Sequence, residues 1–310
     1  MLHGNSIKAS KNKLTPAALF CQKFAIPLEF QDLLPVFFTP EEQAFVLQCS
    51  RDIFSREDYP ADFLRQEYHR GLLVKAEGQG HYRLSDFYSL LDVFAVSRQE
   101  EYGRLPWADR QRLDRWYFQK YLEGLPPSQS RPTADQVMPL EEVLSFIDAQ
   151  QRPAYLNYCD CRSLTGACGL PTHTCITYRS GSNSFVDRGL SQPLDKEAAK
   201  EIVRQADAAG LMHTLNPNGI CNCCGDCCYL FRAQRQRQSP GIWPASPRIA
   251  VLDKDKCLNC GRCIRRCHQA AFSRRDAGLC FDEKRCVGCG LCVNTCPAGA
   301  LALTDRKTTS

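Results

Sequence analysis

Two runs of cysteine carry the strongest chemical signal in the chain. Cys257-Leu-Asn-Cys260-Gly-Arg-Cys263-Ile-Arg-Arg-Cys267 and Cys286-Val-Gly-Cys289-Gly-Leu-Cys292-Val-Asn-Thr-Cys296-Pro297 both read C-x2-C-x2-C-x3-C. Each cysteine of the second run lies 29 residues after its counterpart in the first. The flanks repeat as well: Ala271-Phe272 corresponds to Ala300-Leu301, and Lys256 to Arg285. Such an internal repeat predicts a pseudo-twofold module. Three thiolates at x2 intervals on a tight loop can reach three irons of one cubane and aim backbone N–H groups at its sulfurs. The x3 step then starts a helix that carries the fourth cysteine to the other cluster. This reading gives cluster I to Cys257, Cys260, Cys263 and Cys296, and cluster II to Cys286, Cys289, Cys292 and Cys267. Zinc is the weaker alternative, because zinc sites use two CxxC pairs rather than four cysteines in register.

This segment resembles the bacterial two-[4Fe–4S] ferredoxin family over about residues 248–306. The first run ends Cys267-His268, where that family has proline; the second keeps Cys296-Pro297. His268 reads as a tolerated surface substitution, with tuning of a potential as the sharper alternative. Cys280 falls at the repeat position of Val251, on an expected strand, and reads as a buried hydrophobe.

Nine further cysteines lie between residues 151 and 245, in two groups. The first holds Cys159, Cys161, Cys168 and Cys175; the second holds Cys221, Cys223, Cys224, Cys227 and Cys228. Three readings compete: one or two further Fe–S clusters, structural zinc, or a redox-active dithiol set. Cys221, Cys224 and Cys227 repeat the C-x2-C-x2-C spacing, which favours Fe–S. Adjacent side chains such as Cys223 and Cys224 point apart, which favours two sites sharing the loop. Arg162 could donate to a sulfide or form a buried salt bridge. His173 is a weaker candidate ligand, and His213 reads as structural. A helix separates the groups, with Ala198, Ala199, Ile202, Val203, Ala206 and Ala209 on one face and Gly210 ending it.

The elements that must position these groups follow from the rest of the pattern. Residues 1–15 read as a flexible tail. Thr39-Pro40 opens a helix running to Cys49, and Ala61–Arg70 forms another, ended by Gly71. Leu72–Val74 and His81–Leu84 flank a glycine-rich turn and read as a two-stranded wing. Helices follow at Asp86–Arg98 and Asp109–Leu122, with Trp107, Trp116 and Tyr117 expected in a core. Residues 16–123 therefore read as a winged-helix-like helical domain, suited to protein docking more than to DNA, since Asp62 and Glu67 interrupt the basic face of Arg65, His69 and Arg70. Residues 124–150 read as a linker and short helix, 151–245 as an irregular Cys-rich domain, and 246–310 as the two-[4Fe–4S] ferredoxin domain. The fold class is α+β.

Composition narrows the setting. Of 20 cysteines, 18 lie from Cys159 onward, and residues 50–158 contain none. There is no apolar stretch of membrane-spanning length and no secretory pattern at the N-terminus, so a soluble cytoplasmic protein is expected. In a reducing compartment dense cysteines indicate metal rather than disulfides. The formal charge of +5 counts each cysteine as neutral. Two tetrathiolate clusters, at about −2 each, bring it to about +1, and four bring it to about −3. Basicity is thus weak support for nucleic acid. There is no G-x-G-x-x-G fingerprint and no P-loop.

Taken together, Cys159-Asp-Cys161-Arg162, Asn216, Ile220-Cys221-Asn-Cys223-Cys224 and Cys227-Cys228 resemble a family of 4Fe–4S proteins of anaerobic or facultative prokaryotes. That resemblance spans most of residues 33–306. It implies Fe–S binding and electron transfer to a redox partner protein, without naming a substrate. Two other functions stay open: a reductase subunit reacting at the middle cysteines, and a redox-responsive DNA-binding regulator.

Overall fold

The computed structural model describes residues 15–49, 52–78, 80–126, 134–239, 242–276 and 278–306. The chain divides into two compact units, with the division between Phe94 and Ala95.

The first unit opens with the helix Pro16–Lys23. Thr39 caps the helix Pro40–Gln48 in a reciprocal box: its hydroxyl accepts from Glu42 N at 3.2 Å, and its own N–H donates to Glu42 Oε2 at 2.6 Å. That arrangement satisfies two of the donors a helix start leaves open. The helix Ala61–Arg70 ends at Gly71, whose φ of +90° suits the left-handed cap. Strands β1 (Phe54–Ser55), β2 (Leu73–Lys75) and β3 (His81–Leu84) form an antiparallel sheet in the order β1-β3-β2. The expected two-stranded wing thus has a third strand, because Phe54 and Ser55 pair with Tyr82 and His81. Part of the expected turn, residue 79, lies outside the described residues.

The second unit holds all the cysteines from Cys159 onward. Its helix Trp107–Glu123 buries Leu113 and Tyr117, but Trp107 is 46% exposed. The expectation that Trp107 is core fails because it opens the helix, where its ring lies under the Arg110 guanidinium instead.

The cysteine-rich middle is not irregular. It is a six-stranded antiparallel sheet of β4 (Gln136–Met138), β5 (Ala154–Tyr158), β6 (His173–Thr177), β7 (Gln192–Leu194), β8 (Met212–Asn216) and β9 (Gly219–Cys223). The strand order is β4-β8-β9-β6-β5-β7. Residues read as linker supply edge strand β4, and the helix Leu140–Ala149 packs with the helix Lys196–Ala209 on one face. Val143, Ile147, Ala199, Val203, Ile176 and Ile220 form that core. Asp195 caps the second helix through Ala198 N, and Gly210 ends it at φ +99°. The β8–β9 hairpin turns at Asn216, whose Oδ1 accepts from Asn218 N and Gly219 N at 2.8 and 3.0 Å.

The C-terminal segment is built from two antiparallel strand pairs. β10 (Arg248–Leu252) pairs with β13 (Leu301–Asp305), and β11 (Phe272–Arg275) pairs with β12 (Gly278–Phe281). The repeat is visible in the backbone. Asn259 and Gly288 both have positive φ, as do Gly261 and Gly290, and Ala270 and Gly299. Each pair is 29 residues apart.

Candidate metal centres

The C-terminal loops gather the eight cysteines into two cavities. One is lined by Cys257, Cys260, Cys263 and Cys296. The other is lined by Cys267, Cys286, Cys289 and Cys292. Each cavity therefore takes three cysteines from one run and the last cysteine of the other. The left-handed residues turn backbone N–H groups onto the sulfurs. Asn259 N and Gly288 N donate to Cys257 and Cys286 Sγ, both at 3.4 Å. Ala271 N and Ala300 N donate to Cys267 and Cys296 Sγ at 3.4 and 3.3 Å. These are equivalent bonds in the two repeats. Gly288 admits no side chain, since a Cβ there would stand 2.1 Å from Arg248 O.

The donor chemistry fits a group that binds as a cation-bearing cluster. Burial pushes the Cys289 thiol up to about 12 and raises those of Cys263, Cys267 and Cys292. Left as neutral thiols these are weak ligands; a bound metal deprotonates them outright. N–H donors then favour the thiolate form.

The two cavities differ in surroundings. Around the first, Cys260 is exposed and Leu258 is 70% exposed. The second is closed on one side by Met212 of β8 and by His268. His268 is not a surface substitution. Its Nε2 bonds Gly210 O at 2.7 Å, and its Cβ lies against Gly225, so close that a Cβ on Gly225 would be 2.6 Å away. Arg266 donates to the carbonyls of Asp207 and Ala208, and Asn294 Nδ2 reaches Asp207 Oδ1 and Oδ2, both at 3.2 Å. Cys280 sits on β12 as expected but is only partly buried.

The sheet explains how the middle cysteines meet. Along β9, Gly219-Ile-Cys-Asn-Cys223 alternates, so Ile220 joins the helix-covered core while Cys221 and Cys223 face the other way. Pairing of Ile176 with Ile220 sets Cys175 across from Cys221. Cys159 follows β5, the next strand. The thiols then lie as successive neighbours: Cys221 by Cys175, Cys175 by Cys159, Cys159 by Cys161, Cys161 by Cys228 and Cys228 by Cys223. On balance the Cys159 thiol is raised: its bond with Cys161 lowers it, but the bond with Cys175 and burial prevail. Cys168, Cys224 and Cys227 stand apart from these as a second group, joined by Asp226.

Arg162 is 2% exposed. Its guanidinium donates to Pro171 O at 2.9 Å, Asn222 O at 2.5 Å and Thr174 Oγ1 at 2.6 Å. All three acceptors are neutral, and among the described residues no carboxylate pairs with it. Its titratable neighbours are the thiols of Cys159, Cys175, Cys223 and Cys224. A buried cation costs several kcal/mol unless an anion compensates it, and among the described residues thiolates formed from these cysteines are the groups placed to do so.

His173 stacks on Tyr158 with ring centroids 4.1 Å apart. His213 is fully buried and donates from Nδ1 to Asn222 Oδ1 at 2.6 Å. Asn222 Nδ2 donates to Thr174 O, which fixes the amide orientation. Asp226 and Asp160 are donors that cysteine spacing alone overlooks, although both stand between cysteines, in Cys224-Gly-Asp-Cys227 and Cys159-Asp-Cys161.

Residues 250–303 match the 4Fe-4S dicluster domain family. The chain therefore carries a [4Fe–4S]-binding domain at its C-terminal end and is an iron–sulfur protein. Comparison with curated proteins and with solved structures gives no match. No helix among the described residues is long and apolar enough to cross a membrane.

Proposed function

We propose that the protein is an electron carrier for a redox partner protein, with two [4Fe–4S] clusters in the C-terminal segment. Cys257, Cys260, Cys263 and Cys296 would hold one, and Cys267, Cys286, Cys289 and Cys292 the other. When bound, such clusters supply reversible one-electron transfer. The observation that carries the reading is the pair of four-cysteine cavities, each completed by the other repeat.

The surrounding residues give the carrier a direction in space. Exposed Leu258 and Cys260 make the first cavity the edge that a partner approaches. Met212 and His268 shield the second from water and join it to the middle sheet. The chain of Cys221, Cys175, Cys159, Cys161, Cys228 and Cys223 is the further Fe–S site, supported by buried Arg162, which needs an anionic neighbour. Residues 16–123 are read as a winged-helix-like docking module.

Anaerobically purified protein should contain about eight irons and eight sulfides for the two C-terminal cubanes, and about twelve of each with a third. Cys260→Ala should remove about four irons and one reduced-cluster EPR signal. A full iron complement in that variant contradicts the ligand assignment.

A further inference from the structure

Cys168, Cys224, Asp226 and Cys227 each offer one donor atom, and those four atoms lie within 4.8 Å of one another. That spacing suits four ligands on a single ion. In a tetrahedral mononuclear zinc site, bonds of about 2.3 Å place sulfurs about 3.8 Å apart. A cubane spreads its ligands wider, because each thiolate sits on a different iron. Among the described residues, no three of the C-terminal cysteines converge within 4.8 Å, although those cysteines line the two cavities in the 4Fe–4S dicluster segment.

The four donors are also held ready. Cys224 and Cys227 are fully buried, packed with Ala206, Leu211, Leu170 and Cys168. Cys227 N donates to Asp226 Oδ1 at 2.9 Å and to Cys224 Sγ at 3.4 Å. Asp226 is exposed and so leaves the site open to an ion from solvent. Three thiols and one carboxylate close a four-coordinate shell, the hallmark of a structural site.

We propose that Cys168, Cys224, Cys227 and Asp226 form a mononuclear tetrahedral site of the zinc class, separate from the iron–sulfur sites. Binding displaces the three thiol protons and involves no change of oxidation state. The site ties the Cys224–Cys228 loop to the loop carrying Cys168, and so fixes Gly225 against His268.

The test uses the full chain, purified anaerobically with its iron in place, and titrated with Zn²⁺ and with Co²⁺. The expected result is about one tightly held metal per chain, with cobalt giving tetrahedral d–d bands and thiolate charge transfer. Cys227→Ser should abolish these bands and leave iron and sulfide unchanged. Asp226→Asn, a surface change that preserves folding, should weaken zinc against a competing chelator by roughly tenfold or more. Loss of iron in Cys227→Ser, or no tetrahedral cobalt spectrum in the wild type, overturns the proposal. Neither result touches the C-terminal clusters, whose iron is counted separately by Cys260→Ala.

Discussion

Gly225→Ala tests the contact between the middle cysteine loop and the C-terminal segment. A Cβ there would stand 2.6 Å from His268 Cβ, 2.9 Å from His268 O and 3.2 Å from His268 Cγ. Carbon atoms in good contact sit about 3.5–4.0 Å apart, so the methyl group overlaps by about 1 Å. The atoms it meets first are a backbone oxygen and a Cβ, and neither can rotate away. Overpacking of this kind costs about 1–3 kcal/mol, offset by about 0.4–1 kcal/mol from the stiffer unfolded chain. From the middle of each range the net loss should be about 1.3 kcal/mol, read as a lower urea midpoint at unchanged slope under anaerobic conditions. His268→Ala keeps the Cβ and should not rescue the variant, whereas His268→Gly should rescue it in part. Unchanged stability in Gly225→Ala, within about 0.5 kcal/mol, refutes the close approach. Gly103→Ala serves as the control: it lies within the helix Gln99–Arg104 with nothing within 4 Å of a new Cβ, and should stabilise by about 0.5–1 kcal/mol.

Other perturbations follow from the same geometry. Glu67 is buried in the first unit; burial, then the hydrogen bond and charge of Glu42, raise its carboxyl to about 8 against the pull of Arg70. Between the ordinary value of 4.5 and about 8 the folded state holds the extra proton, so stability is greatest at the acid end and falls as pH rises through this window. Glu67→Gln should flatten that slope in unfolding curves taken from pH 5 to pH 8; an unchanged slope counts against the buried acid. Arg162→Met removes a buried cation together with three hydrogen bonds and leaves the thiol groups without it. Loss of metal from the middle unit, measured as iron and zinc per chain, is the expected outcome, and full retention would show that the guanidinium is not the counter-charge. Asp114 accepts from Arg232 Nη1 at 2.6 Å, Tyr229 OH at 3.0 Å and Thr165 Oγ1 at 3.1 Å. Asp114→Ala should cost at least about 1.5–3 kcal/mol, visible in thermal unfolding.

What the sequence disclosed depended on whether the chemistry was local. The C-x2-C-x2-C-x3-C runs are local, so their 29-residue repeat is plain in the sequence. Caps are local too: Thr39, Gly71 and Gly210 mark helix ends where expected. The middle sheet was illegible because its strands are short and its pairings distant. Ile176 meets Ile220 across 44 residues, and no periodicity records that. The partition of the nine middle cysteines follows from this register, with alternation along β9 turning Cys221 and Cys223 to one side. Cys224, just past the strand, escapes the alternation and joins Cys168 and Cys227 instead. His268 looked like a surface exchange because the residue it meets, Gly225, is remote in the chain and has no side chain to signal a contact.

The crossed lining of the two C-terminal cavities bears on how the protein matures. During synthesis the first cavity stays incomplete until Cys296 emerges, 39 residues after Cys257. The second waits for Cys292 while Cys267 is already folded nearby. Neither repeat can keep a finished site of its own, so a nascent or truncated half offers only three-cysteine pockets. Each cavity therefore closes only once both repeats are present. A cut in the loop joining β11 to β12 would separate the fourth cysteine of each cavity from its other three, so both linings would come apart together.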